Sequence, residues 1–263
     1  MEKRILLDRF AADSEERLVL AQVLDRMESV SRRQECACSA FLSPKERLDA
    51  EAMLRAAQST PWLSYGGYDE AERRMLLFLP DWMEPEYAAP EEQLALVRCT
   101  WFQEDTLTHR DFLGALMGLG LRRDTIGDIL VAEASCDLLV LPTVAGFIRD
   151  NLTSAGRVRV HNQLLPVDQV HLPQQARKLI HDTVAAMRLD SVASVGFSIS
   201  RAKAHEAIAQ GRVAVNWQDT DKSDLAVHEG DVISCRGLGK CRVAEVGGLS
   251  RKGRINITVE RYL

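Results

Sequence analysis

The chain has 263 residues, 46% of them apolar and 27% charged, with 33 Lys and Arg against 38 Asp and Glu for a formal charge of −5. Length suggests about two domains, and the composition supports real hydrophobic cores and excludes a disordered or fibrous chain. The opening MEKRILLDRF is charged from its second residue and no apolar run approaches the ~18 residues of a spanning helix, so a cytoplasmic protein with no membrane partner is expected.

Residues 1 to about 70 read as mostly helical. EERLVLAQVLDRMESV places Leu18, Ala21, Val23, Leu24 and Met27 near helical spacing. SPKERLDAEAMLRAA starts with Ser43 as N-cap, Pro44 at the first helical position and Glu46 completing a capping box. YGGYDEAERR follows, a glycine turn flanked by two Tyr and ending in a charged run, readable as a tight turn before a strand.

The middle alternates differently. MLLFLP and LALVRCTW have strand length, HRDFLGALMGLGL has helical spacing, and GDILVAE and CDLLVLP look like two joined strands. TVAGFIRDNLTSAG reads as a helix capped by Thr143 and stopped by Gly156, and RVRVHNQLL alternates as a half-exposed strand. Strand, helix, strand, strand, helix, strand is the ferredoxin-like order, shared by RNA-recognition-motif domains. No aromatic strand signature accompanies it, so the order speaks for fold and not for RNA contact. ARKLIHDTVAAM, ambiguous between strand and helix, is read as a strand. His109 and Asp111 have no nucleophile beside them and read as loop residues.

In the last part, SISRAKAHEAIAQG offers Ser198 or Ser200 to cap a helix that Gly211 ends. RVAVNWQ and HEGDVISCRG supply strands, and CRVAEVGGLSRKGRINITVERY supplies a two-glycine turn between two more. The expected class is α+β: a helical N-terminal region over 1–74, a ferredoxin-like middle domain over 75–186, and a small α+β domain over 187–263. Residues 188–263 hold 12 Lys and Arg against 9 Asp and Glu, whereas the rest hold 21 against 29. The basic end on an acidic body suits a polyanion site there. The six cysteines form no C-x-x-C pair and the histidines complete no zinc set. Reduced thiols, no metal and no cofactor are expected.

Within the basic end, MRLDSVASVGFSISRAKAHEAIAQGRVAVNWQ, continued by LAVHEGDVISCRGLGK, closely resembles the RNA-binding domain named after small-subunit ribosomal protein S-four. The resemblance rests on Arg188-Leu189-Asp190, Ser200-Arg201, Lys203, the turn from Ile208 to Gly211, Val213, Val215-Asn216 and Gly230-Asp231. Beyond this segment, GGYDEAERR (66–74), RDFLGALMGLGLRRDTIGDILV (110–131) and TVAAMRLDSVAS (183–194) are similar to the YlmH family of bacterial proteins. On that resemblance YGGYDEAERR reads as a contact for RNA or ribosomal protein, against a tight turn before a strand. That resemblance implies binding to the ribosome and to structured RNA, rRNA or tRNA, and for some members action on stalled large subunits carrying peptidyl-tRNA. A monomer is expected.

The residues themselves agree with RNA contact. Arg201 and His205 lie four apart and share a helix face, Lys203 flanks it, and Ala204, Ala207 and Ile208 point to the core. Free N–H groups beside Ser198 and Ser200 favour phosphate. Arg212 follows the turn, and Arg188, Lys240 and Arg242 widen the patch, with Arg251, Lys252 and Arg254 either joining it or forming a solvated hairpin tip. Asn216 either reaches the RNA or caps a turn. On this reading Arg201, Lys203 and Arg212 matter for RNA and little for folding. No catalytic residue is expected. The competing functions are an RNA-modifying enzyme of the pseudouridine synthase type, to whose catalytic RLD residues 188–190 are superficially similar, and an adaptor in cell division. Here RLD opens the RNA-binding module with no catalytic domain after it, so Asp190 reads as structural or capping.

Overall fold

The computed structural model describes residues 3–57, 60–173 and 177–262. The chain forms two compact units, Met1–Pro173 and Gln174–Leu263.

In the first unit, α1 (Lys3–Phe10), α2 (Ser14–Arg33), β1 (Ala37–Cys38), α3 (Pro44–Ala57), β2 (Trp62–Tyr65) and β3 (Met75–Phe78) follow in order. Asp13 caps α2 by accepting from the Glu16 N–H. The expected capping box at α3 forms: the Ser43 N–H donates to the Glu46 carboxylate at 2.6 Å and the Glu46 N–H donates to Ser43 Oγ at 3.3 Å. Leu20, Val23 and Leu24 of α2 pack with Met53, Leu54, Leu76 and Phe78. Leu18, counted on that face in the sequence reading, is 61% exposed, because two residues before Leu20 is about 200° around the helix. The region is mostly helical, as expected, and also holds a small sheet. β3 is the centre of an antiparallel sheet ordered β1-β3-β2, and the two outer strands are too short for alternation to reveal them. MLLFLP therefore belongs with the N-terminal helices, not with the middle domain.

Next come β4 (Ala95–Thr100), α4 (His109–Gly118), β5 (Ile126–Val131), β6 (Ser135–Val140), α5 (Pro142–Asn151), the small hairpin of β7 (Ser154–Ala155) and β8 (Val158–Arg159), and β9 (His161–Leu165). The antiparallel order β5-β6-β4-β9 is the ferredoxin-like topology expected from the element order. Phe112, Leu116 and Ile148 pack on one sheet face against Val97, Leu138 and Val140. Leu96, Leu130 and Leu139 on the other face pack with Phe41 and Met75. Two cap assignments are corrected. Pro142 takes the first position of α5 and Leu141 precedes it, so Thr143 lies inside the helix. The helix ends at Asn151, and Gly156, with φ +54°, turns β7 into β8. His109 and Asp111 open α4 instead of lying in a loop, Asp111 as the carboxylate of a capping box with Thr108.

YGGYDEAERR forms a clasp on β5. The Asp128 carboxylate accepts from the Tyr68 hydroxyl at 2.8 Å, the Glu72 N–H at 2.8 Å and the Arg73 N–H at 3.0 Å. The Arg73 guanidinium donates to the carbonyls of Ile126 and Phe41 at 3.1 and 3.0 Å. A Cβ at Gly66 would sit 2.6 Å from the Ala71 Cβ and from the Arg73 carbonyl, and Gly67 has φ +96°, so the glycines serve the tight turn. Asp128→Ala strands three donors at once. It is expected to cost about 3 kcal/mol, measurable by denaturant unfolding of the full chain, and an unchanged midpoint would remove the clasp from the folding account.

The second unit contains β10 (Arg177–Val184), α6 (Leu189–Gly196), α7 (Arg201–Ala209), β11 (Val213–Val215), β12 (Gln218–Asp219), β13 (Val232–Cys235), β14 (Gly239–Leu249) and β15 (Ile255–Tyr262). All pair antiparallel in the order β10-β15-β14-β13-β11-β12. The segment read as a strand at the end of the middle domain is a strand, but it pairs with β15 from Arg177↔Tyr262 to Val184↔Ile255 and so belongs to this sheet. The expected two-glycine turn is not one. Gly247 and Gly248 lie within β14 at an irregular register between Val246 and Leu249, and the turn falls at Ser250–Gly253. Leu189, Val192, Ala193, Ala204, Ala207 and Ile208 from the two helices pack on Ile233, Cys241, Val243, Ile257 and Val259 of the sheet.

Candidate nucleic-acid interface

Nine-residue α7 begins at Arg201 with Ser200 as its N-cap, whose Oγ accepts from the Lys203 N–H at 3.3 Å. Ser198 is left outside, at φ +55°. Gln210 and Gly211, the latter at φ +64°, end the helix as expected. Ala204, Ala207 and Ile208 are buried, whereas Arg201, Lys203 and His205 are exposed.

Asp190, 3% exposed, lies at the centre of this surface. Its Oδ2 accepts from Arg201 Nε and Nη2 at 3.0 and 2.8 Å, and Arg188 approaches both carboxylate oxygens at 3.3 Å. The Ser191 hydroxyl donates to Oδ1 at 3.2 Å. Burial pushes the Asp190 carboxyl up, but the hydrogen bonds and charges of the Arg188 and Arg201 guanidiniums outweigh it and hold the pKa below the ordinary aspartate value. Both arginine side chains remain open, 39% and 57% exposed. One buried carboxylate thus fixes the direction of two guanidiniums that still face solvent, leaving N–H groups for phosphate or base edges. This corrects the expectation that Arg201 is indifferent to folding. Asp190 is structural, as the RLD reading had it, and its pairing with a residue 11 positions later is invisible to spacing.

The other predicted residues disperse. Arg212 stands at the far end of α7 from Arg201, roughly 13 Å of helix away, with its Nε buried and lacking a hydrogen-bond partner. Asn216 and Trp217, at φ +49° and +63°, make the two-residue turn between β11 and β12. The Asn216 amide donates to Asp231 at 2.8 Å and its oxygen accepts from the Val232 N–H at 2.9 Å, so both ends serve the turn. Lys240 and Arg242 flank Cys241 in β14, whose side chain joins the core under the helices, so alternation puts the two cations on the opposite sheet face. Arg254 is tied to Thr183, its Nε donating to Oγ1 at 2.9 Å, and Arg251 and Lys252 are exposed at the hairpin tip.

Among the described residues no cluster of His, Cys, Asp and Glu could hold a metal ion, and no helix is long and apolar enough to cross a membrane. Burial pushes the Cys99 and Cys241 thiols up to about 12, which keeps both protonated and unreactive near neutral pH.

Three family models match in succession. "YlmH, N-terminal" covers residues 15–81, "Putative RNA-binding domain in YlmH" covers 93–169, and "S4 domain" covers 187–233. A Bacillus subtilis (strain 168) protein named "Ribosome-associated protein quality control protein P2" is 32% identical over 248 residues, 94% of this chain and 95% of that one. The chain belongs to the YlmH family. A solved structure, "Cell division protein ylmH from Streptococcus pneumoniae", is 22% identical with a TM-score of 0.49, covering 60% of this chain and 96% of that chain. Within the YlmH chain the S4 match spans α6, α7, β11, β12 and the start of β13, the segment that holds Asp190 and its two arginines.

Proposed function

We propose that this YlmH-family protein is a non-catalytic RNA-binding factor that works on the ribosome, taking structured rRNA or tRNA against the α6–α7 face of its second unit. The observation that carries the reading is the Asp190-centred pair of guanidiniums beside exposed Lys203, at the start of a helix whose free N–H groups add a positive end. The B. subtilis relative, matched along nearly its whole length, is named as ribosome-associated and as a quality-control protein, which supports work on the ribosome; within that reading the protein acts on stalled large subunits, in the cytoplasm, as a monomer. Asp190 lies buried between two arginines, a poor position for a catalytic carboxylate that must reach a base. That favours binding over uridine modification.

Lys203 tests the site without touching the ion-paired hub. Lys203→Glu in the full chain is expected to weaken co-sedimentation with ribosomal subunits about tenfold and to flatten the log–log salt dependence by about one unit, at an unchanged melting temperature. Binding and slope equal to wild type would remove Lys203 from the interface. No sedimentation of the wild-type chain itself would refute the ribosomal reading.

A further inference from the structure

The sheet of the second unit has a face that its helices do not cover. Register places Arg177, Leu179, His181 and Thr183 of β10 beside Tyr262, Glu260, Thr258 and Asn256 of β15. Lys240 and Arg242 of β14 lie on the same side, Arg242 directly opposite Glu260. Tyr262 gathers two of these cations: the Arg177 guanidinium stands 5.4 Å and the Lys240 ammonium 4.6 Å from its ring centroid. Arg242 is exposed, and so are His181 and Leu179, the latter at 57%. Farther along the face Arg254 bonds Thr183, with Arg251 and Lys252 beyond it at the hairpin tip. From Arg177 to Thr183 this strip runs about 20 Å, with Glu245 and Glu260 as its carboxylates.

Leu179 is a single exposed apolar side chain and by itself asks for no partner; the charge around it points to one. Arg177 pairs with Glu260 at 3.3 Å, and the remaining cations, Lys240, Arg242 and Arg254, still outnumber Glu245, so the complementary partner is a polyanion. Cation–π contact with Tyr262 restrains two long side chains and lowers the entropy lost when they grip an anion. Leu179 and His181 offer an apolar and planar surface of the kind that takes a ribose or an unstacked base, while flanking cations take phosphates.

We infer that this sheet face is a second RNA-binding surface, separate from the α6–α7 face, which takes a backbone segment of RNA across Arg177, Lys240 and Arg242 with one nucleotide over Leu179 and His181. The second unit then holds two stretches of RNA on opposite faces of one sheet. The inference rests on the reading of this chain as a ribosomal RNA-binding factor, and not on the helix face being its contact.

The test uses the full chain and purified ribosomal subunits. Lys240→Glu with Arg242→Glu should weaken binding about 100-fold and lower the salt slope by about two units. The neutral pair Lys240→Gln with Arg242→Gln should lower the slope by the same amount with a smaller loss of affinity and should melt close to wild type, whereas the glutamate pair, which sets a carboxylate opposite Glu260, should melt lower. Benzophenylalanine in place of Leu179 should crosslink to RNA. If the wild type binds and Lys203→Glu weakens it, but the glutamine pair binds within twofold at the wild-type slope, the sheet-face inference fails and the helix-face reading stands. Crosslinks from position 179 to protein alone would also overturn it, in favour of an acidic protein partner. If Lys203→Glu has no effect while the sheet-face pairs do, the helix face fails and this surface survives.

Discussion

Asp190→Ala is expected to lower affinity for ribosomal RNA about tenfold, although it removes a negative charge from an RNA-binding surface. By net charge alone the substitution should strengthen binding, since every lost carboxylate relieves repulsion of phosphate. The structure reverses that expectation. Asp190 is buried and holds Arg201 through two hydrogen bonds and Arg188 through two more, so its loss leaves both guanidiniums to wander, and the cost of ordering them falls on the RNA complex. Stability should fall by about 2 kcal/mol as the hub's hydrogen bonds are lost. Because the folded-state pKa of Asp190 lies below its ordinary value near ~3.9, its contribution to stability is fully present above that pH and fades as pH falls through the lower folded value. Wild type and Asp190→Ala should therefore converge in stability in strong acid and differ at neutral pH. Binding measured well below the melting temperature separates positioning from folding. An affinity equal to or above wild type there would show that Asp190 orders nothing the RNA uses, and Asp190→Glu should restore part of what Asp190→Ala loses.

Gly196→Ala carries the other large effect, on stability. A Cβ at this last residue of α6 would lie 2.5 Å from Cys241 Sγ and 3.2 Å from a methyl carbon of Val259. Helix propensity favours alanine over glycine by up to about 1 kcal/mol, but a contact this short forces α6 away from β14, and overpacking of this kind costs about 1–3 kcal/mol. The net expectation is destabilisation of about 2 kcal/mol by chemical denaturation. Cys241→Ala removes the obstructing sulfur, so the double variant should recover part of the loss, with a coupling of about 1 kcal/mol. Additive losses in the two variants would mean that the helix and the strand adjust independently.

The legible features were those whose causes are local. Ser43 with Glu46, Ser200 at the start of α7 and Gly211 at its end are fixed by bonds within a few residues, and short-range patterns record such bonds well. The ferredoxin-like order could be read because its strands stand out as short apolar runs and its helices show a helical period. Thr143 failed because Pro142 outcompetes it for the helix start, and the Gly247-Gly248 pair failed because a strand can absorb glycines at an irregular register.

Long-range pairing was out of reach. Nothing in ARKLIHDTVAAM says that the strand joins β15, some 80 residues later, because one extended strand can pair with any edge that suits it. The cations of the second unit were recognisable one at a time, and composition alone put them at the basic end of an acidic chain. Their sorting was not. The turn between α6 and α7 brings Arg201 to Asp190, and the two-residue alternation of β14, anchored by Cys241 and Val243 in the core, sends Lys240 and Arg242 to the other side. Residue type and local pattern define what each side chain can bind, whereas burial of the apolar set chooses which face of the sheet presents it.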